Sequence, residues 1–441
     1  MRAPSECDPN AGCGFLENAG GTADILTLHV ARAPGAPGAA RWSGVDRMSE
    51  SAAPGRIVRD ESGRVVVGDH AAVVAVAQDP TTFSSAVSRH LQVPNGLDGD
   101  AHAEARRLLD PFFDDAEVEA LTPSLERIAA EIVAALGDRP FDAVTDLGAR
   151  FAVRAQSAWL GWRPELEEEL LGWVEDNRSA TRSGDPERTS EVARRFDAII
   201  RRILDRRRAR PVDDVTTRLL GLHWEDGDPL EDAELVSVLR NWTAGDLSSI
   251  ALCTGVLVHW LAANPRHRAH LVDADGPALD AAIDEILRAD DPFVSNRRVA
   301  VRDTVIDGCP VAAGDTVVLD WRLANRDPAV FADPDAFDPV GNAAANLVYG
   351  TGPHVCPGRP LATRELRVVV RAVLAGAPSS SSRAPRPSAN CRRWPATGRC
   401  RSGFSRRRAS RRSRRRRRAS GRRARWRTPP RRSRAPAGWS P

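Results

Sequence analysis

The sequence predicts a mainly helical fold with a small β region. Apolar residues recur at helical spacing through most of the segment between residues 71 and 264. Alternation of apolar and polar residues, which is the pattern of a half-buried strand, occurs only in a few short stretches. No internal repeat is visible along the chain. We therefore expect one helical domain to which a few strands are added.

In chain order, two short strand patterns come first, at residues 56–59 and 65–67. A series of amphipathic patterns then predicts helices at residues 71–77, 101–113, 125–135, 149–160, 164–176, 187–208 and 233–264. Strand patterns return at 299–307 and 316–320. A last helix is predicted at 361–370, because prolines precede it at positions that the start of a helix tolerates.

The helix predicted at 233–264 is the longest, and it ends before Pro265. At ~1.5 Å per residue it would extend over about 48 Å, which is enough to cross a domain. Its most apolar part, 250–263, is interrupted by His259 and is too short to span a bilayer. We therefore expect a core helix and no membrane contact.

The cysteines predict a reducing compartment. There are seven of them, and they show no paired spacing typical of a metal site. An odd number without a regular framework argues against a disulfide-stabilised secreted domain. The residues after Met1 also lack the basic stretch and long apolar run of a secretory signal. These observations together predict a cytoplasmic protein.

The segment 349–362, with the sequence YGTGPHVCPGRPLA, contains the most informative cysteine of the chain. Gly350, Gly352 and Gly358 remove side chains where the backbone must approach a flat ligand closely, and they allow backbone angles that other residues avoid. The helix that follows would direct its positive N-terminal end toward Cys356. We expect that end to lower the thiol pKa and to favour the thiolate, which is the form that binds metal. A cysteine without such surroundings is more often a small buried hydrophobe.

Two charged pairs stand at helical spacing. His102 and Arg106 are four residues apart and so share one helix face. Glu285 and Arg288 are three residues apart, which lets the carboxylate and the guanidinium meet and engage a third group. Either pair, taken alone, is more typical of a solvated helix surface.

These motifs, in this order, resemble the cytochrome P450 family of haem-thiolate monooxygenases over roughly residues 55 to 375. The segment 349–362 is similar to the family's haem-binding signature, with Tyr349 in place of the usual Phe. The resemblance implies a P450-like helical fold with haem b as the cofactor. It also implies that Cys356 is the iron ligand, within a haem-binding loop that includes Gly350 and Gly358.

The resemblance assigns roles to the charged residues as well. It implies that His102, Arg106, Arg298 and His354 bind the haem propionates, with Arg297 as an alternative to Arg298. Glu285 and Arg288 would form a buried structural pair, which in the family is completed by an Arg from a downstream segment. Arg326 lies in the matching stretch, but the Arg that usually follows Phe337 and Asp338 is absent. The third partner therefore stays open.

The oxygen-binding motif departs from the family pattern. Members typically have Ala-Gly-x-acid-Thr, and this chain has Ala244, Gly245, Asp246, Leu247 and Ser248. The small residues would leave room for dioxygen, whereas the acid of the motif has either been lost or moved to Asp246. Adjacent helical residues point about 100° apart, so Asp246 does not simply replace an acid at 247 unless the helix is distorted near Gly245.

We expect Ser248, with ordered water and Asp246, to supply protons, and Ala244 and Gly245 to provide the space. The resemblance implies that one oxygen atom of O2 is inserted into an organic substrate. A peroxide-using or inactive haem protein is the alternative consequence of the altered motif.

The substrate is expected to be a small or medium apolar molecule, because the segment 84–99, which overhangs the haem in the family, contains several apolar residues. No flavin-binding segment is visible. Electrons from NAD(P)H would thus arrive through separate proteins, by analogy a ferredoxin and its reductase.

The net charge of +4 hides a strong asymmetry. Residues 376–441 contain 23 Arg and no Asp or Glu, whereas the rest of the chain has 40 basic residues against 59 acidic ones. The segment lacks Leu, Ile, Val and Met, so it is predicted to be a disordered, basic, low-complexity tail. We assign residues 48–375 to the monooxygenase core and residues 1–47 to a disordered extension, with Met48 as an alternative start.

Three explanations of the tail remain open. Its Arg residues and its Trp394, Trp426 and Trp439 would suit an arm that binds nucleic acid. It would equally suit docking to an acidic protein. The explanation that we favour is out-of-frame translation of GC-rich DNA, because family members continue after this helix with strands that line the substrate pocket. The core would then be incomplete at its C-terminal end.

A haem-free interaction protein is the rival from another functional class. It would require all of the ordered motifs to be coincidence. Nucleic-acid binding is therefore expected, if anywhere, through the tail alone.

Overall fold

The computed structural model describes residues 55–88, 90–137 and 140–376. The predicted extension at 1–47 and, apart from Gly376, the predicted tail at 376–441 lie outside the described residues.

The strands form one five-stranded sheet and one hairpin. In chain order they are β1 (Ile57–Arg59), β2 (Val65–Val67), β3 (Phe83–Ser84), β4 (Ser295–Ala300), β5 (Thr304–Ile306), β6 (Cys309–Val311) and β7 (Thr316–Asp320). The sheet has the order β1-β2-β7-β4-β3, in which only β2 and β7 are parallel, and β5 pairs with β6. The strands predicted at 56–59, 65–67 and 316–320 are confirmed.

The prediction of one strand at 299–307 is wrong. The strand in the sheet begins earlier, at Ser295, and ends at Ala300. The chain then turns away, and the positive φ angles of Asp307 and Gly308 close the separate hairpin of β5 and β6. The alternating pattern runs across this break because both strands have one buried face.

Helices dominate the described residues. They are α1 (His70–Gln78), α2 (Gly99–Leu109), α3 (Asp115–Leu136), α4 (Arg150–Leu160), α5 (Glu167–Ser183), α6 (Pro186–Ala209), α7 (Val215–Leu220), α8 (Asp232–Ala263), α9 (Pro265–Leu271), α10 (Gly276–Ala289), α11 (Trp321–Ala324) and α12 (Arg359–Gly376). Short 3₁₀ turns occupy Asp110–Phe113, Pro164–Leu166 and Ala343–Ala345, and a π-helical turn occupies Ala143–Ala149. All of the predicted helices are present, although their ends differ.

The α8 helix is the centre of the helical layer. The side chains of Glu231 and Glu234 cap its start reciprocally. It is long and apolar enough to cross a membrane, but its buried side chains contact α4, α6, α10, α12 and the π-helical turn. The helix is therefore the core helix that the sequence predicts.

The hydrophobic core has two parts. One part is formed by the helices around α8, and the other lies between the sheet, α1 and α11. The segment 348–358 runs between the end of the 3₁₀ turn Ala343–Ala345 and the start of α12. This segment, α8, α2 and β4 line one shared cavity, in which the candidate site lies.

Candidate functional site

The cavity has a volume of about 1090 Å³. Cys356 lies on its wall, and the α8 residues Ala244, Gly245, Asp246 and Ser248 also line it. Residues that are far apart in the sequence are thus brought to one internal space, as expected for the predicted site.

The loop before α12 depends on glycine at two positions. Gly350 and Gly352 have φ angles of 71° and 75°, which favour glycine. A Cβ atom on Gly352 would lie 2.6 Å from the carbonyl oxygen of Ala77, so no larger residue fits without a shift of the loop. The amide of Cys356 donates to the carbonyl oxygen of Tyr349 at 3.0 Å, which closes the loop around the sulfur.

Gly358 leaves space beside the thiol. A Cβ atom at this position would lie 3.9 Å from Cys356 Sγ and 3.5 Å from the ring of Phe113, which is ordinary contact. The conformation therefore does not demand glycine here in the way that it does at Gly352. The backbone of Gly358 also hydrogen-bonds to the thiol, which favours its anionic form.

The expectation of a lowered thiol pKa is wrong for the free cysteine. Burial raises the pKa of Cys356, and this effect exceeds the opposing influence of the Gly358 backbone and of Arg106. The residue is exposed only in the sense that it opens onto the internal cavity. Burial therefore favours the neutral thiol of the free cysteine.

Two histidines meet at another part of the cavity wall. The ring centroids of His102 on α2 and His354 lie 4.0 Å apart. Burial, with the nearby His102 and Arg298, lowers the pKa of His354 to about 4, and burial with Arg106 lowers the pKa of His102. Ser85 Oγ lies 2.9 Å from His354 Nε2, and Asp98 Oδ1 lies 3.5 Å from the same atom. The cluster is an environment in which added negative charge would be favourable.

The positive charge of Arg298 acts on both histidines of this cluster. It is buried in β4, lines the cavity and lowers the pKa of both histidines by its charge. Burial lowers the pKa of Arg298 itself. The neighbouring Arg297 also lines the cavity and has its pKa lowered by burial. The coupling to His102 and His354 favours Arg298 for the predicted role.

Arg106 is engaged with the cysteine loop. Its Nη1 donates to the carbonyl oxygens of Pro353 and Val355 at 2.9 and 3.0 Å, and its Nε pairs with Asp110 at 2.6 Å. The predicted partner of His102 on the helix face therefore also holds the segment that carries Cys356.

Glu285 and Arg288 form a buried ion pair on α10. Arg288 has no exposed surface, and Glu285 is 2% exposed. Arg288 Nε donates to Glu285 Oε2 at 2.7 Å. Arg288 also donates to the carbonyl oxygen of Asn325 at 2.7 Å, and its guanidinium lies over the ring of Phe331. The pair is buried, as the resemblance implies.

The third partner of the Glu285–Arg288 pair, which the sequence analysis left open, is the side-chain amide of Asn342. Asn342 Nδ2 donates to Glu285 Oε1 at 2.7 Å, and the amide of Asp338 donates to the same oxygen at 3.0 Å. Arg326 instead donates to the carbonyl oxygen of Ala289 at 2.9 Å and pairs with Asp335. Sequence reasoning missed Asn342 because an Asn in a loop gives no periodic signal.

The altered oxygen motif has a clear structural form. Leu247 has no exposed surface and packs in the helical core, whereas Asp246 and Ser248 line the cavity. A Cβ atom added to Gly245 would meet nothing within 4 Å, so this part of α8 leaves open space. Leu247, which occupies the position of the usual acid, therefore faces the core and not the cavity.

Asp246 has a partner that the sequence analysis did not identify. Burial raises the pKa of Asp246 to about 7, and the side chain of Glu365 on α12 acts against this shift. Burial and the neighbouring Asp246 raise the pKa of Glu365 well above its usual range. The sequence did indicate that Glu365 is buried. It lies on one helix face with the apolar Leu361 and Val369, each four residues away.

The residues present fit haem b. A porphyrin brings four nitrogen ligands of its own, so the protein has to add an axial ligand and donors for the carboxylate side chains. Cys356 provides one sulfur that opens onto the cavity. The cluster of His102, Arg298 and His354 provides the donors, in surroundings where an anion is favourable.

Comparisons with known proteins agree with this geometry. The family model "Cytochrome P450" matches residues 274–376. A probable cytochrome P450 127A1 of Sinorhizobium fredii is 31% identical over 300 residues, which cover 67% of this chain and 71% of that protein. The 6-deoxyerythronolide B hydroxylase of Saccharopolyspora erythraea is 33% identical over 292 residues, which cover 64% of this chain and 70% of the relative.

Solved structures show the same fold. A mutant of P450 EryK in complex with erythromycin B has a TM-score of 0.64 and 28% identity, with coverage of 72% of this chain and 84% of that one. The bottromycin biosynthetic protein SalCYP has a TM-score of 0.64 and 26% identity, with coverage of 73% and 83%. Sequence, fold and site geometry lead to one conclusion: the chain belongs to the cytochrome P450 family.

Proposed function

We propose that this P450-type monooxygenase inserts one oxygen atom of O2 into a small or medium apolar organic molecule. The observation that supports the proposal best is the position of Cys356, which shares a cavity with the small residues Ala244 and Gly245. Several relatives are named as hydroxylases, monooxygenases or epoxidases.

Within this proposal, Cys356 would bind the iron of haem b through its thiolate. His102, Arg298 and His354 bind the propionates, and Arg106 adds positive charge while holding the loop. Gly350 and Gly358 allow the loop to approach the cofactor closely. When bound, the haem supplies the oxygen chemistry, which an anionic sulfur ligand favours.

The chain's own residues have three further tasks. Ala244 and Gly245 keep the wall of α8 open toward the cavity. Ser248 and Asp246 hold and pass protons at the cavity wall. Trp159 and Trp242, whose rings lie 5.1 Å apart and pack on Phe113, restrict the entry of water.

The substrate class rests on the lining of the cavity. Val87, Trp242 and Phe293 contribute apolar surface. The names of relatives refer to 6-deoxyerythronolide B, a steroid and epothilone C/D. We propose that electrons come from NAD(P)H through a ferredoxin and its reductase in the cytoplasm.

The decisive experiment compares the purified full chain with Cys356→Ser and Cys356→His. We expect the reduced, CO-treated wild type to show the red-shifted Soret band that a thiolate ligand produces. Both variants should lose that band, and the histidine variant should show a band typical of a nitrogen ligand. An unchanged band in Cys356→Ser would overturn the assignment of the iron ligand.

The peroxide-using alternative is supported by one observation, the buried Leu247 at the usual acid position. Turnover supported by hydrogen peroxide, compared with turnover supported by the redox partners, separates the two modes. Faster turnover with peroxide would favour the alternative.

A further inference from the structure

The loop that carries Cys356 begins where the chain passes from one core to the other. Leu347 packs in the core beside the sheet, and the next residue, Val348, packs in the core around α8. The loop ends at Arg359, which is the first residue of α12. The position of the thiol therefore depends on how these two ends of the loop are held.

Two asparagine side chains hold the first end. Asn325 Oδ1 accepts the backbone amide of Leu347 at 2.8 Å, and Asn346 Oδ1 accepts the backbone amide of Val348 at 2.9 Å. Both amides belong to buried residues, where an unpaired N–H group is costly. The two side chains thus satisfy two consecutive backbone donors at the point where the loop starts.

The same two side chains are bonded to α10 and to the residues that follow it. Asn346 Nδ2 donates to the carbonyl oxygen of Asp284 at 2.9 Å, and Asn325 Nδ2 donates to Asp291 Oδ2 at 3.3 Å. Each amide group accepts from a backbone N–H on one side and donates to an oxygen on the other, so its orientation is unambiguous. Each asparagine is therefore a bridge between the loop and the region of α10.

The other end of the loop is held by the same helix. Arg359 Nη2 donates to Asp284 Oδ2 at 3.2 Å, and the guanidinium of Arg359 lies 5.0 Å from the centroid of the Tyr349 ring. Asp284 thus contacts both ends of the loop, because its backbone oxygen binds Asn346 and its carboxylate binds Arg359.

The helix that holds the loop is itself firmly packed. Arg288 of α10 is fully buried, and its Nη1 donates to the carbonyl oxygen of Asn325 at 2.7 Å. Asn325 also has no exposed surface. The loop is consequently attached to a packed element, which places a functional side chain more precisely than a surface loop can.

We propose that Asn325, Asn346 and Asp284 are positioning residues for Cys356, which fix both ends of its loop on α10 and so set where the thiol meets the cofactor. This inference rests on the proposed function and adds three residues to it. The three residues are absent from the cavity lining in the described part of the chain, so they act through the backbone of the loop.

The first test measures hydrogen exchange at the amides of Leu347 and Val348 in the full chain. Asn325→Leu should make the Leu347 amide exchange about tenfold faster or more, because its side-chain acceptor is lost, and Asn346→Leu should do the same at Val348. Asn325→Asp keeps an oxygen for the Leu347 amide and should restore most of its protection.

The matched control is Asn264→Leu. This change removes an asparagine hydrogen bond to the carbonyl oxygen of Trp260 at 2.9 Å, outside the loop and its contacts with α10. It should leave the exchange of both amides unchanged.

The second test follows the haem-loaded chain through a urea titration, with the CO band of the thiolate form and the helical circular dichroism recorded together. Asn325→Leu and Asn346→Leu should lose the thiolate band at urea concentrations well below those that unfold the helices. In the wild type and in Asn264→Leu the two transitions should lie closer together. A merely structural role would shift both transitions by the same amount.

A reciprocal exchange tests the bridge to Asp291. Asn325→Asp alone places two acids against each other, whereas Asn325→Asp combined with Asp291→Asn restores one donor and one acceptor. The double variant should keep the thiolate band to higher urea concentration than Asn325→Asp does. A double variant that is no better than Asn325→Asp would remove Asp291 from the arrangement.

The remaining outcomes separate the two levels of the argument. Wild-type exchange rates in Asn325→Leu and Asn346→Leu, or equal shifts of both urea transitions, would overturn the positioning role. Absence of the thiolate band from the wild type would instead refute the proposed function, while the exchange rates would still decide whether the asparagines hold the loop.

Discussion

Arg288 shows how one residue can hold a buried charge without weakening the core. Its guanidinium is satisfied by the Glu285 carboxylate, by the carbonyl oxygens of Asn325 and Pro334, and by the ring of Phe331. Truncation of one partner would leave the other charge buried and unpaired. The energetic cost of losing either partner therefore exceeds the value of the pair itself.

We predict that Arg288→Ala lowers the free energy of unfolding by about 3 to 5 kcal/mol. The control is Arg127→Ala, which removes an exposed ion pair with Glu131 and should cost about 0 to 1 kcal/mol. Urea denaturation of both variants measures the difference. Equal losses for the two variants would contradict the importance of burial.

Asp320 is a single buried residue whose titration should make the stability of the protein depend on pH. Burial raises the pKa of Asp320 to about 6, although its Oδ1 accepts the amide of Leu323 at 2.8 Å. Because the folded pKa lies above the unfolded one, the folded state binds more protons between these values, and stability falls as pH rises through them. Below the unfolded pKa this loss is absent.

We predict that the wild type loses on the order of 3 kcal/mol of stability through Asp320 as the pH rises from about 4 to 6. Asp320→Asn keeps an oxygen for the Leu323 amide and removes this part of the pH dependence. Denaturation curves across this pH range provide the measurement. The same slope in both proteins would show that Asp320 titrates normally.

Individual residues were predictable where a local pattern contained them. Cys356 stands in a distinctive loop, and Glu285 with Arg288 has helical spacing, so the sequence alone singled them out. Asn342 acquires its role from Glu285, a partner that is 57 residues away. Such pairings depend on how the helices pack, which no local spacing encodes.

At the scale of elements, close approach to α8 depends on small residues. A Cβ atom on Gly148, in the π-helical turn, would lie 2.6 Å from the carbonyl oxygen of Ala251. A Cβ atom on Gly255 of α8 would lie 2.5 Å from a methyl group of Val144 in the turn. Glycines from both sides therefore bring the two backbones together.

We predict that Gly148→Ala lowers the free energy of unfolding by about 1 to 3 kcal/mol, because backbone atoms have to shift. The matched control is Gly172→Ala in α5, where a Cβ atom meets nothing within 4 Å. This control should be stabilising by about 0.4 to 1 kcal/mol. Thermal or urea denaturation would reveal opposite signs, and a stabilising Gly148→Ala would contradict the close packing.

The longest helices were predicted best, but length alone did not suffice, because α10, with 14 residues, is not among the predicted helices. The helical period fixed α6 and α8 within one residue at each end, since each has several turns of amphipathic pattern, whereas the start of α3 was predicted ten residues too late. The α7 helix has only six residues, too few to establish a period. Pro265 was taken as the end of a helix, and it also begins α9 at a position that favours proline.

The whole molecule combines an acidic body with a basic tail. The family match ends at residue 376, which is also the last residue of α12. The 23 Arg residues of the segment 376–441 have no acidic neighbours in the sequence. Any polyanion would therefore interact with this segment before the rest of the chain.

We predict that the full chain binds duplex DNA without sequence preference, and that binding weakens steeply with added salt because many phosphate contacts are lost. A variant ending at residue 376 should lose this binding, since the remaining chain is acidic. Fluorescence anisotropy at several salt concentrations measures both. Salt-independent binding, or equal binding by the shorter variant, would exclude a role of the arginines.

The buried Leu247 sets a limit on how this enzyme can be redesigned. An engineer who aligned it with its relatives would be tempted to restore the missing acid by a single substitution at 247. That side chain would enter the packed interior beside α8 rather than the reaction chamber, and an ionised group there would weaken the fold. An acid at position 247 would reach the cavity only if α8 were rotated about its axis. The rotational orientation of α8 therefore decides which residue can supply protons, more than the residue type at position 247 does.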